Sequence, residues 1–125
     1  EPYLGTGTTT LAAIASNRDS IGIDIDKNFI DYALDYISNV KIASINNYIQ
    51  NRILKHQDFV NNRKKNYGKD ALKYINKHHG YPVMTKQEVD GKFDFIDKII
   101  PNTNDNTLLV EYSDEDRFLD LKLFP

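Results

Sequence analysis

The chain has 125 residues, 40% apolar and 27% charged, with 16 Lys and Arg against 18 Asp and Glu. That length suits one compact domain and not two of ordinary size, no run of apolar residues is long enough for a membrane span, and no charged–apolar–small leader marks secretion. With no cysteine, disulfides and thiolate metal sites are excluded, and a reducing cytoplasm is the expected setting.

The chain opens on a glycine turn, Leu4-Gly5-Thr6-Gly7-Thr8. Such a turn normally follows a buried strand, and none precedes it, so the chain reads as part of a longer protein. A short helix is predicted over 9–16, with Leu11, Ile14 and Ala15 inward. The β-branched run Ile21-Gly22-Ile23-Asp24-Ile25 reads as a buried parallel strand. Asp26 is placed to cap a helix over 27–38, because its carboxylate can accept from free first-turn N–H groups. Ile42, Ile45, Ile49, Ile53, His56 and Val60 then recur at steps of three and four, one face of a long helix that Tyr67-Gly68 interrupts.

Asp70–Lys77 reads as a further short helix. Thr85-Lys86-Gln87-Glu88 has the form of a capping box, opening a helix with Val89, Phe93, Ile96 and Ile100 inward, weakened by Gly91 and ended by Pro101. The tail changes period. Thr107–Tyr112 reads as a strand, Ser113–Asp116 as a turn, and Arg117–Phe124 as a second strand with alternating leucines, which together make a hairpin.

Charge is distributed unevenly. Residues 1–40 hold two cationic against six acidic side chains, residues 41–92 eleven against four, and residues 93–125 three against eight. The basic middle also carries His56, His78 and His79, and is a candidate polyanion-facing surface. Arg52, Lys55, Arg63, Lys64 and Lys65 are its candidate phosphate contacts, with Tyr67 and Tyr74 among them to stack on bases. A solvated helical face with a buried His56 is the plainer alternative. Adjacent histidines on a helix diverge and no third ligand is spaced to join them, so no metal site is expected.

The glycine turn and the acidic end of the next predicted strand belong together. Two glycines one residue apart let backbone approach a ligand, and the helix start offers free N–H groups to an electronegative atom. Asp24, ending that strand, is spaced to accept hydrogen bonds from a ribose diol, as in nucleoside-binding α/β folds. A triphosphate loop would need Gly-Lys-Ser/Thr, and there is no lysine before Lys27. A dinucleotide fingerprint would want a small residue where Thr10 stands.

Glu1-Pro2-Tyr3-Leu4-Gly5-Thr6-Gly7-Thr8-Thr9, Ala12-Ala13, Arg18 and Ile21-Gly22-Ile23-Asp24-Ile25-Asp26 together resemble the cofactor block of DNA amino-methyltransferases in the permuted β-type order. That block reads Asp-Pro-Phe-x-Gly-Ser-Gly-Thr-Thr, then Arg, then Ile-Gly-x-Glu. The resemblance covers about residues 1–38. It implies S-adenosylmethionine as cofactor, with Glu1, Pro2, Tyr3, Gly5, Thr6, Gly7, Thr8, Thr9, Asp24 and Asp26 as its contacts. Glu1 stands for Asp and could reposition a contact to the methionine amino group; Asp24 stands for Glu and must come closer to the ribose.

The family's Pro-Pro-aromatic catalytic motif is absent, since none of the four prolines adjoins another, so no residue here is expected to be catalytic. The expected fold is α/β: a partial Rossmann-like methyltransferase sheet over 1–40, which the resemblance implies, then a helical basic extension over 41–100 and a C-terminal β-hairpin over 101–125, both read from the residue pattern. The implied partner is double-stranded DNA with a flipped cytosine or adenine, together with the missing catalytic half or a second subunit, in a prokaryotic, nucleoid-associated setting. A non-catalytic DNA- or partner-binding module and an NAD-dependent enzyme are the alternatives.

Overall fold

The computed structural model describes residues 2–113. Its elements are α1 (Thr8–Ala15), α2 (Lys27–Ser38), α3 (Ile42–Tyr67), β1 (Tyr74–Ile75), β2 (Pro82–Val83), β3 (Ile96–Asn102) and β4 (Thr107–Tyr112), with 3₁₀ turns at Lys69–Ala71 and Lys86–Asp90. β1 pairs with β2 and β3 with β4, each pair antiparallel and in its own sheet. The described residues form two compact units, residues 2–49 with 94–113, and residues 50–93.

In the first unit α1 ends in a Schellman motif: Arg18 N–H donates to Ala13 O (3.0 Å) and Asn17 N–H to Ile14 O (3.2 Å). Asn17 takes the left-handed position, φ 52°, which Asn tolerates better than most residues. Its amide also donates to Asp94 Oδ2 at 2.8 Å. The Tyr112 hydroxyl reaches back to donate to Ile14 O at 2.7 Å, satisfying one of the carbonyls that a helix end leaves open.

Burial first, then Asp19 and Asp94, push the Tyr112 phenol up to about 12. A raised value means the contact is whole below the ordinary tyrosine range and is lost as pH climbs toward 12. Tyr112→Phe is expected to lower stability by about 1 kcal/mol in urea unfolding at neutral pH.

α2 begins where Asp26 Oδ1 accepts the Asn28 N–H at 2.9 Å, as its sequence predicts. Ala33 and Ile37 are its buried residues, Phe29 is 44% exposed, and Ile30 and Leu34 lie between. α3 carries the predicted stripe: Ile45, Ile49, Ile53 and Val60 are all buried, with Ile42 and His56 half-buried. Asn46 reads the backbone of Ile96 at two points, donating to its O at 3.0 Å and accepting its N–H at 2.8 Å. It thereby does for β3 what a neighbouring strand would.

Four sequence expectations are corrected. The Ile21–Ile25 run forms no strand ladder among the described residues and bends at Ile25, and Ile21, Ile23 and Ile25 are 78%, 61% and 104% exposed. A buried strand needs neighbours on its edges and faces, and here a backbone hydrogen bond from Leu4 N–H to Ile23 O at 2.9 Å joins the run to the glycine turn without making a ladder. The helix over Asp70–Lys77 is replaced by a three-residue 3₁₀ turn and β1. Asn76 is the cause, because its side chain competes for local backbone groups.

The capping box at Thr85–Glu88 forms, but it starts five residues of 3₁₀ helix that end at Gly91. Beyond it the β-branched Ile96, Ile99 and Ile100 form β3, with Pro101 near its end. Thr107–Tyr112 is a strand as expected, yet its partner is Ile96–Asn102 across the turn at residues 103–106. Asn102 Oδ1 accepts the Asn104 N–H and Asn106 takes φ 55°, so this turn closes with its own side chains. The hairpin placed over 101–125 is thus formed by 96–112, and Arg117–Phe124 lies outside the described residues.

The second unit centres on Asn76, 1% exposed. Its amide donates to Glu88 O and Gly91 O, each at 2.8 Å, and its carbonyl accepts the N–H groups of His78 (3.0 Å) and His79 (2.9 Å). Both donors and both lone pairs are used. Backbone bonds Asn76 N–H to Tyr81 O and Gly80 N–H to Asn76 O close the loop that joins β1 to β2, with Gly80 at φ 72°.

Candidate cofactor site

The glycine turn is stitched to the end of the Ile21–Ile25 run by one carboxylate. Asp24 Oδ2 accepts the Gly5 N–H at 3.1 Å and its Oδ1 accepts the Asp26 N–H at 2.9 Å. The backbone N–H of Asp26, and then that of Gly5, hold the Asp24 carboxyl below its usual range against a smaller opposing effect of burial. A lowered value means these bonds are present above the ordinary carboxylate range and are lost as pH falls through the folded value. The Ile25 N–H acts on the carboxylate in the same direction, and of its four lone pairs at least one stays open to another donor.

The two glycines do different work. Gly5 sits at φ 55°, and a Cβ there would meet no atom within 4 Å, so its open side faces space a ligand can enter. Gly7, at φ 85°, is buried. A Cβ there would stand 3.0 Å from Ala33 Cβ and 3.2 Å from Ile37 Cδ1, so at this position the expected close approach is that of α2. Gly7 N–H donates to Leu4 O at 3.0 Å, which tightens the turn, and no side chain caps α1. Its first-turn N–H groups are therefore presented outward beside Gly5.

Around them Tyr3 is 83% exposed, and Pro2, Thr6, Thr8 and Thr9 are exposed, with the Thr6 and Thr8 hydroxyls 3.4 Å apart. Asp26 is committed by its side chain to capping α2. Glu1 lies outside the described residues.

Gly22 and Leu4 were not singled out by sequence reasoning. A Cβ on Gly22 would lie 2.4 Å from Leu4 Cδ1, so Gly22 leaves room for the side chain that seats the turn. A glycine inside a β-branched run is the signal that could have found it. A separate cleft of about 560 Å³ in the same unit is lined by Leu4, Ile14, Leu34, Val110 and Tyr112 among others, and by none of Gly5, Thr6, Asp24 or Asp26. The turn and that cleft are distinct places.

The candidate phosphate contacts lie on α3 in the second unit. At about 100° per residue, Arg52, Lys55 and Arg63 fall on one side of the helix while Lys64 and Lys65 turn away, so the five wrap α3. The Arg52 guanidinium stands 4.6 Å from the Phe93 ring centre and that of Arg63 4.8 Å from Tyr67. Arg63 Nε is buried without a hydrogen-bond partner among the described residues. Lys55, Lys64 and Lys65 are exposed. Among the described residues no helix is long and apolar enough to cross a membrane.

Residues 1–35 match the family profile described as DNA methylase. Over 90 residues the chain is 38% identical to the Type II methyltransferase M.MthZI of Methanothermobacter thermautotrophicus, an alignment covering 72% of this chain and 23% of that protein. The chain thus spans about a quarter of the length of this relative. No solved structure matches. The matched block contains the whole turn, Asp24 and Asp26, and on that evidence the chain carries a segment of the N4/N6 DNA amino-methyltransferase family.

Proposed function

We propose that residues 1–26 bind S-adenosylmethionine as part of a DNA methyltransferase that modifies the exocyclic amino group of cytosine at N4 or of adenine at N6. The observation that carries this reading is the open side of Gly5 beside the uncapped N-terminus of α1, with Asp24 bonded to the same turn. Backbone at Gly5 and Thr6 approaches the cofactor; the first-turn N–H groups of Thr8 and Thr9 favour its methionine carboxylate. Asp24, already ordered by backbone donors on either side, accepts from the ribose hydroxyls through its remaining lone-pair capacity. Pro2 and Tyr3 line the approach, with Glu1 a further contact by the family likeness alone, Gly7 and Asp26 hold the turn and α2 in place, and the bound cofactor supplies the methyl group.

Methyl transfer needs groups that position the target base, and the Pro-Pro-aromatic motif for that task lies outside this chain. The substrate in this reading is double-stranded DNA with the target base flipped out. Lys55, Lys64 and Lys65 are then the best available phosphate contacts, ahead of Arg52 and Arg63, which lie over aromatic rings. A Rossmann-like sheet would give the Ile21–Ile25 run a strand neighbour. The exposure of its three isoleucines is the surface that the rest of a methyltransferase, or a second subunit, would bury.

Isothermal calorimetry on the folded chain tests the cofactor reading. Heat of binding is expected with S-adenosylmethionine and not with NAD. A folded chain that gives no heat at millimolar S-adenosylmethionine overturns it. Asp24→Asn is expected to weaken that binding about tenfold, by removing charge from the ribose contact. Wild-type binding should also fall as pH drops below the ordinary carboxylate range, and the Asn variant should lack that dependence.

A further inference from the structure

We propose that His79 is a pH-operated clasp on the backbone at Phe93. The three histidines of the second unit use their rings differently. His79 Nε2 accepts the Phe93 N–H at 2.9 Å. An accepting Nε2 carries no proton, so the neutral ring holds its proton on Nδ1. His56 Nε2 lies 2.7 Å from Pro82 O, and a carbonyl only accepts, so His56 donates and keeps that bond when protonated. His78 is exposed. Protonation therefore breaks the bond from Phe93 to His79 and spares the one from His56 to Pro82.

The geometry leaves His79 little room to turn away. Its ring is stacked on Tyr81 at 5.7 Å with 5° between planes, and its own N–H is held by Asn76 Oδ1. A protonated Nε2 would point an N–H at the N–H of Phe93, so the clasp has to open. Phe93 is the last described residue of the second unit, so the bond released is one that fastens the chain where it leaves that unit.

The ionisable groups around the clasp come from several elements. His78 lies 6.4 Å away, ring to ring, on the same loop, and Tyr81 is the stacked neighbour. From α3, His56 packs on Tyr81 at 5.0 Å and Arg52 stands over Phe93. From the 3₁₀ turn, Glu88 acts on Tyr81 and His56, and Asp90 is paired with Lys77 at 3.0 Å. Arg52 opposes a second positive charge nearby, while Glu88 already accepts from Thr85. The bond is closed above the imidazole range and is lost as pH falls through it, within about pH 5 to 8.

The test is amide exchange at Phe93 by NMR, expressed as protection relative to an unstructured amide at the same pH. Protection is expected to fall about tenfold or more from pH 7.5 to pH 5.5 in the wild type, following imidazole titration. His79→Gln keeps an accepting carbonyl without a titrating ring, and its protection should stay flat. Unchanged wild-type protection across that range, or the same fall in His79→Gln, overturns the proposal. A nitrogen-15 ring spectrum of the wild type needs no variant: it should show the His79 proton on Nδ1 near neutral pH, and a proton on Nε2 contradicts the clasp.

Discussion

Asn76→Ala is expected to destabilise the second unit by about 4 kcal/mol or more. Truncation leaves two carbonyls, of Glu88 and Gly91, and two N–H groups, of His78 and His79, without the partner they have in the fold. Each buried orphan costs roughly 1–3 kcal/mol, and the bonds reinforce one another in a site away from water. Water entering the vacated space would recover part of that. Asn76→Asp separates the two halves of the network. It keeps both acceptors but points a carboxylate at two carbonyls, and should be nearly as damaging as alanine. Urea unfolding, followed by amide exchange at Tyr81 and Val83, reads the effect. A loss below about 1 kcal/mol for both variants would mean the network is not formed in solution.

Gly5→Val is expected to weaken S-adenosylmethionine binding at least about a hundredfold, equivalent to roughly 2.7 kcal/mol, while helix content is retained. Two effects act in the same direction. The valine side chain would project into the open space beside the turn, where the cofactor is placed, and a β-branched residue at φ 55° is strained by about 1–2 kcal/mol. Among the described residues no atom lies within 4 Å of the new Cβ, so the loss falls on binding more than on folding. Gly7→Val supplies the contrast. Its Cβ would press on Ala33 and Ile37 of α2, so it should lower the unfolding midpoint clearly. Thermal unfolding by circular dichroism beside calorimetry distinguishes the two. Equal binding by Gly5→Val and wild type would remove the turn from the site.

The parts of the fold that were legible in the sequence are those in which a local rule decides. Asp26 caps α2 because its own side chain reaches the first-turn amide, and the steps from Ile42 to Val60 define the buried face of α3 without help from elsewhere. The link from the glycine turn to Asp24 was legible as spacing, and the structure adds the hydrogen bond from Gly5. Helices were misassigned where a distant partner decides instead. Ile96 and Ile100 fit a helical period, yet Ile96 is held at two points by Asn46, fifty residues away. Asn76 falls within the stretch read as a helix over Asp70–Lys77, since nothing local shows that four backbone groups converge on it. The Ile21–Ile25 run was legible as apolar and extended, but burial is a property of neighbours that these residues do not themselves provide.

In the function proposed above, the turn at Gly5 and the carboxylate of Asp24 form one nucleoside-binding site. A two-dimensional amide NMR titration of the folded chain with S-adenosylmethionine reads both halves of that site at once. Saturable shifts confined to the amides of residues 3–10 and 23–26 are expected, with Gly5 and Thr6 moving most. Shifts centred on the basic face of α3, or none at saturating cofactor, would contradict it.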